Sequence, residues 1–219
     1  MRIRERNRRK KNKSSIKHIT LKQSKGPKSN DKSKKRTVPA PELNLNGQDS
    51  IEAFESAIHD LSLRLSPQQL GFLPSNYWLN LDSTFGDLVT KFFRRKNNHN
   101  CSFPIKLFNA LLIVENKPDM FKLVGVKWIT NNVFKVNKFM FGRLLGIKSV
   151  DGLFYFHGSF ESFGFVQLSL DEIDQIRVNH QNDIADVDNE VVRLMKHKVE
   201  NFTKTSSEDS IKRIKWGIY

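Results

Sequence analysis

Positive charge on a stretch with little apolar content is the chemistry this sequence offers most plainly. Arg6, Arg8, Arg9, Lys10, Lys11 and Lys13 form one cluster, and Lys32, Lys34, Lys35 and Arg36 form a second. Such runs bind polyanions by releasing their condensed counterions, and the same composition reads as a nuclear-import signal. Residues 1–40 hold 16 Lys/Arg against only Glu5 and Asp31, whereas the rest of the chain holds 21 basic and 21 acidic groups. The formal charge of +14 therefore belongs to one end of the molecule. A neutral body carrying a basic arm points to nucleic acid or an acidic partner.

Other chemistries fit the body poorly. The run from Gly142 through Arg143, Leu144, Leu145, Gly146, Ile147 and Lys148 to Ser149 looks like a phosphate-binding loop at first sight. It is one residue short between the glycines, has Ile before the lysine, and follows a helical pattern instead of a strand. His99 and Cys101 lack further Cys or a nearby His to complete a zinc site. Cys101, the single cysteine, has no distinguishable base beside it and excludes an internal disulfide. Asp183, Asp186, Asp188 and Glu190 lack the glycine and ligand register of a calcium loop. No cofactor, no small-molecule substrate and no enzymatic activity are expected. No apolar run approaches the roughly 20 residues that span a bilayer, so no membrane partner is expected either.

The elements that must carry any site lie beyond the arm, where all 17 Phe are found. Asp49 and Ser50 open a helix whose stripe is Ile51, Phe54, Ile58, Leu61 and Leu65. Ser83 caps a second helix bearing Phe85, Leu88, Val89, Phe92 and Phe93, with Arg94, Arg95 and Lys96 at its C-terminal end, where the dipole favours cations. Ser102 and Pro104 open a third, with Leu107, Phe108, Leu111, Leu112 and Val114 on its apolar face. Phe121 to Ile129 and Val133 to Val136 read as a hairpin turning at Thr130–Asn132. Asn137 caps a helix closed by Gly146. Ser149 or Asp151 caps the next, with the stripe Leu153, Phe156, Phe160 and Phe163. Phe165 to Leu168 reads as a strand, Ser169 to Asp174 as a turn, Ile176 to Val178 as the returning strand, and Val187 to Phe202 as a last helix.

Helix, hairpin, helix, turn, helix, strand, loop, strand is the order of a winged helix, which presents one helix to the major groove. The expected fold class is α+β: a winged helix-turn-helix with an N-terminal helical extension and a disordered basic arm. The expected boundaries are 1–48 for the arm and linker, 49–100 for the helical extension, 101–182 for the winged helix and 183–219 for a C-terminal helix and tail.

Residues 103–118, 125–148 and 156–165 resemble the initiator-binding domain of trichomonad transcription factors. The resemblance rests on Phe103, Lys106 and Leu107 at the first helix of that unit, Trp128 in the hairpin, Phe134, Asn137 and Lys138 entering the second helix, Ile147 and Lys148 before the third, and Gly164 and Phe165 after it. It is more distantly similar to the heat-shock-factor domain, which shares the hairpin Trp and the exit from the third helix. The basic arm is additional to the pattern. The resemblance implies binding to double-stranded DNA at the initiator of core promoters, in the nucleus, alongside the transcription machinery. The alternatives left by composition are an RNA- or ribosome-associated basic protein and a winged-helix protein-interaction module.

If residues 150–163 are one recognition helix, the positions opposite its apolar stripe include Tyr155, Gly158 and Ser162, with His157 and Ser159 on the margins. These five are the expected base-facing residues. No Arg, Lys, Asn or Gln lies between Asp151 and Phe163, so base discrimination should be modest. Lys135, Lys138, Arg143 and Lys148 surround the helix-turn-helix and are the expected phosphate contacts. Residues 84–148 hold 12 basic groups against three acids, whereas 149–190 hold nine acids against Arg177, so charge is also divided along the body.

Overall fold

The helix at the centre of the main core is α3, Phe103–Asn116. Pro104 sits in its first turn, where a missing N–H costs nothing and a fixed φ favours the helix. It is buried on nearly every side, with Phe103, Ile105, Leu107, Phe108, Ala110, Leu111, Ile113 and Val114 all in the core. Its one fully buried amide is satisfied locally: Asn109 Oδ1 accepts from Leu73 N at 2.8 Å, and Nδ2 donates to Leu73 O at 2.7 Å. This contact pins the segment before α2 to α3. The computed structural model describes residues 45–79, 82–155 and 158–217. The two basic clusters of the arm lie outside the described residues.

Before α3 come helix α1, Leu45–His59, a two-residue pairing of β1, Arg64–Leu65, with β2, Ser83–Thr84, and helix α2, Phe85–Leu88. α2 continues into a wider helical turn over Val89–Phe93. Thr84, one residue beyond the expected Ser83, caps α2 by accepting from Asp87 N. All five expected apolar residues of this helix are buried. The α1 stripe is narrower than its sequence implies: Phe54 and Leu65 are buried, whereas Ile51 and Leu61 are exposed and the helix stops at His59.

After α3, the chain makes a short helix α4, Phe121–Val124, where the start of a strand was expected. Gly125 takes φ +78°, and a Cβ there would fall 2.5 Å from both Met140 Cβ and Phe141 N. That left-handed residue turns the chain into the hairpin of β3, Val126–Trp128, and β4, Val133–Asn137. Asn137 Oδ1 then accepts from Phe139 N and Met140 N at 3.1 Å each, starting α5, Lys138–Leu145.

The second half departs from expectation at two elements. Ser169 begins a helix, α7, Leu170–His180, instead of a turn and strand. Ser169 Oγ accepts from Glu172 N at 3.4 Å, and Glu172 Oε2 accepts from Ser169 N at 2.9 Å, a reciprocal capping box. The expected last helix is instead strand β6, Val192–His197. It lies between β4 and β5, Phe165–Gln167, in an antiparallel sheet ordered β3-β4-β6-β5. The unpaired edges of β4 and β5 each need a partner, and that demand overrides the helical spacing of Val191, Leu194, Met195 and Val199. The C-terminal α8, Glu208–Arg213, adds Ile211 and the following Ile214 to the main core, which runs from Phe54 to Ile214. The fold is α+β.

Glu172 also ties α7 to β6 through Lys196 Nζ. That hydrogen bond, followed by the one from Ser169 N, holds its carboxyl down at about 2, against an ordinary 4.5. A depressed carboxylate stabilises the folded form above its unfolded pKa and loses that contribution as pH falls through the folded value. Glu172→Gln should therefore speed amide exchange in α7 at neutral pH, with the difference from wild type vanishing as pH drops from 4.5 to about 2. A difference that persists at pH 2 would contradict this coupling.

Candidate nucleic-acid interface

The segment expected to read bases is not one helix. Val150–Leu153 forms a tight helical turn, the chain bends at Phe154 and Tyr155, and α6 spans Ser159–Ser162. Two glycines explain the break, since glycine weakens a helix interior. Gly158 is extended, with φ −68° and ψ 170°. A Cβ on it would meet Gly152 O at 2.5 Å and Tyr155 O at 2.6 Å, so the two short pieces fold back around a residue with no side chain. Leu153, Phe160 and Phe163 still reach the core as their spacing implies. Phe154 stacks on Phe160 with centroids 5.1 Å apart and carries the Arg193 guanidinium 4.5 Å from its own ring centroid.

This bend changes what each expected base-facing residue can offer. Tyr155 stands at the tip and is 65% exposed. Ser159 and Ser162 are half-buried at either end of α6, while Gly158 is buried and serves as the pivot. His157 lies outside the described residues. The site thus presents one exposed aromatic hydroxyl and two part-accessible serines.

The expected phosphate contacts divide three to one. Lys135 is buried; its Nζ donates to Asp183 O and Asp186 Oδ1 at 2.7 Å each and lies 4.9 Å from the centre of the Phe121 ring. Lys138 pairs with Asp151 at 2.9 Å. Arg143 Nη1 donates to Ser50 O at 2.6 Å, and its guanidinium, pushed down in pKa by burial, lies over Phe54. Only Lys148 is exposed with no partner among the described residues. The acidic stretch supplies the internal counterions: Asp183 takes Lys127, Asp186 takes Lys135, Asp151 takes Lys138 and Glu172 takes Lys196. Lys127, Lys135 and Lys138 of the basic half are thereby paired with acids of the acidic half.

A second set of cations was not singled out for binding by the sequence reading. The turn after α2 carries Arg94, Arg95 and Lys96, which serve the helix dipole and also reach the site. Arg94 Nη2 donates to Arg143 O at 3.1 Å, and its guanidinium faces Phe54 from 5.7 Å. Arg95 and Lys96 are exposed, and their charged ends meet no partner among the described residues. Lys106, buried on α3, donates to Arg95 O and, at 3.0 Å, to Asn97 Oδ1. The signal available in sequence was a basic run next to an Asn-rich break, with a lysine ten residues on.

Among the described residues, no three or more His, Cys, Asp or Glu gather where a metal could bind. Cys101 is buried, donates to Phe92 O at 3.2 Å, and has its thiol pKa pushed up by that burial. It behaves as a core residue. No helix of the described residues is long and apolar enough to cross a membrane.

No curated protein and no solved structure matches this chain. A family model described as the transcription-initiator DNA-binding domain matches residues 79–197, from the approach to α2 through the end of β6. That span is more than half of the sequence and includes the hairpin, α5, the bent segment and the β4-β6-β5 pairing, so the chain belongs to the transcription-initiator DNA-binding domain family.

Proposed function

We propose that this protein is a transcription factor that binds duplex DNA at the initiator of core promoters, in the nucleus, with its basic arm adding affinity for the backbone. The observation that carries the reading is the family match over residues 79–197, which falls within the α+β unit whose main core runs from Phe54 to Ile214. That unit is a winged helix-turn-helix in this reading: α3, α5 and the bent 150–162 segment are its three helical elements, and β5 and β6 its return strands. α7 takes the place of a wing ribbon, and the unit extends to His197 because β6 completes the sheet. Base contacts come from Tyr155, Ser159 and Ser162; His157, outside the described residues, is a further candidate. Lys148 positions the backbone, and no bond is made or broken.

Selection of sites from random duplexes by the full chain tests this directly. A modest enrichment of related sequences is expected, because the base-facing side chains make single hydrogen bonds and not the paired ones of Arg or Asn. Tyr155→Ala, Ser159→Ala and Ser162→Ala should then lower discrimination between selected and random duplexes while leaving the salt dependence nearly intact. Strong enrichment untouched by all three variants would place recognition elsewhere.

A further inference from the structure

Beside the bent segment lies a cleft of about 210 Å³, and its polar lining is unusual in sign. Arg95, Lys96, Asn97, Lys106 and Ser159 supply its polar lining, with no carboxylate among the residues that line it. Phe103 and Leu145 contribute an apolar floor, which strengthens any ionic contact made above it. We infer that this cleft is a backbone-phosphate site for duplex DNA, in which Arg95 and Lys96 hold one phosphodiester beside the start of α6; it rests on the DNA-binding reading above.

Four features support the assignment. Lys135 and Lys138 are spent on internal acids and Arg143 on Ser50 O, whereas Arg95 and Lys96 are exposed with no partner among the described residues. Lys106 fixes the shape of the turn: its ammonium has three donors, and it meets Arg95 O and Asn97 Oδ1, two acceptors. Burial pushes its pKa down, and an anion in the cleft would reverse that push. Ile147 lines the same cleft, and the exposed Lys148 follows it in the chain. Finally, Ser159 opens α6, which places a phosphate held here directly beside the residues proposed to meet the bases.

The test uses the full chain and duplex DNA at several salt concentrations. Arg95→Ala with Lys96→Ala should flatten the slope of log K on log salt by about 0.9, the contribution of the one phosphate the pair holds. The loss should be equal for selected and random sequences. The control is Lys117→Ala with Lys204→Ala, at the other end of α3, about 20 Å away along its 14 residues, with Lys204 held on Glu115. This control removes the same charge and should leave the slope unchanged. Arg95 and Lys96 are exposed, so thermal unfolding of the first variant should match wild type. A slope unchanged by the Arg95/Lys96 pair, with wild-type duplex binding intact, overturns the phosphate site and leaves the DNA-binding reading standing. Equal flattening by both pairs overturns it too, because charge alone would then explain the effect. A full chain with no affinity for any duplex overturns both.

Discussion

Replacing Trp128 with alanine should cost about 3–5 kcal/mol of folding stability, the penalty for removing a large buried aromatic. Trp128 is 7% exposed and meets Phe134 edge-on, with centroids 5.6 Å apart. Its other face leans on Phe202, also at 5.6 Å, a residue from the C-terminal segment. Phe134 in turn touches Phe160 and Phe165, so one chain of rings runs from the hairpin to α6 and β5. Removing the indole therefore loosens both the core and the support beneath the bent segment. Urea unfolding measures the cost. A value near zero would contradict the placement of Trp128 between the sheet and the C-terminal segment.

Deleting residues 1–38 should produce the largest change in nucleic-acid affinity. Sixteen Lys/Arg within residues 1–40 can neutralise several phosphates, and each lost contact lowers the salt slope by about 0.9 on duplex DNA. With roughly six or more contacts, the intact chain loses on the order of 10³-fold in affinity between about 50 and about 200 mM salt; the shortened chain should lose far less. The weakening should be the same for all sequences, because lysine and arginine reaching phosphates read charge and not bases. The shortened chain keeps every buried residue from Phe54 to Ile214 and should unfold in one cooperative transition. An unchanged slope would remove the arm from the interface.

Local chemistry made half of this fold legible. Pro104 in the first turn of α3, the Asn137 cap of α5 and the glycine ending α5 are signals spanning a few residues, and each matches the structure. The strand β6 was not legible, because its reason for existing is the edge of β4, more than 50 residues earlier. Helix α7 carried its capping box in plain view at Ser169 and Glu172, but with only Ile173 buried it shows almost no apolar stripe. In the 150–163 segment Leu153, Phe160 and Phe163 of the stripe reach the core, yet Gly152 and Gly158 let them do so from two short pieces, and Phe156 lies outside the described residues. The phosphate residues followed the same rule. Lys135 and Lys138 looked available because Asp186 and Asp151 lie 51 and 13 residues away, and the sequence carries no mark of which acids those lysines will meet.

Initiator binding as proposed requires that the folded body, and not charge alone, favour duplex DNA. Competition between a duplex carrying the selected site and a folded RNA of equal phosphate count, for the full chain at one salt concentration, tests it most directly. The duplex should displace the RNA, and a random duplex should do so less well. RNA that binds as tightly as the selected duplex, or more tightly, would contradict it.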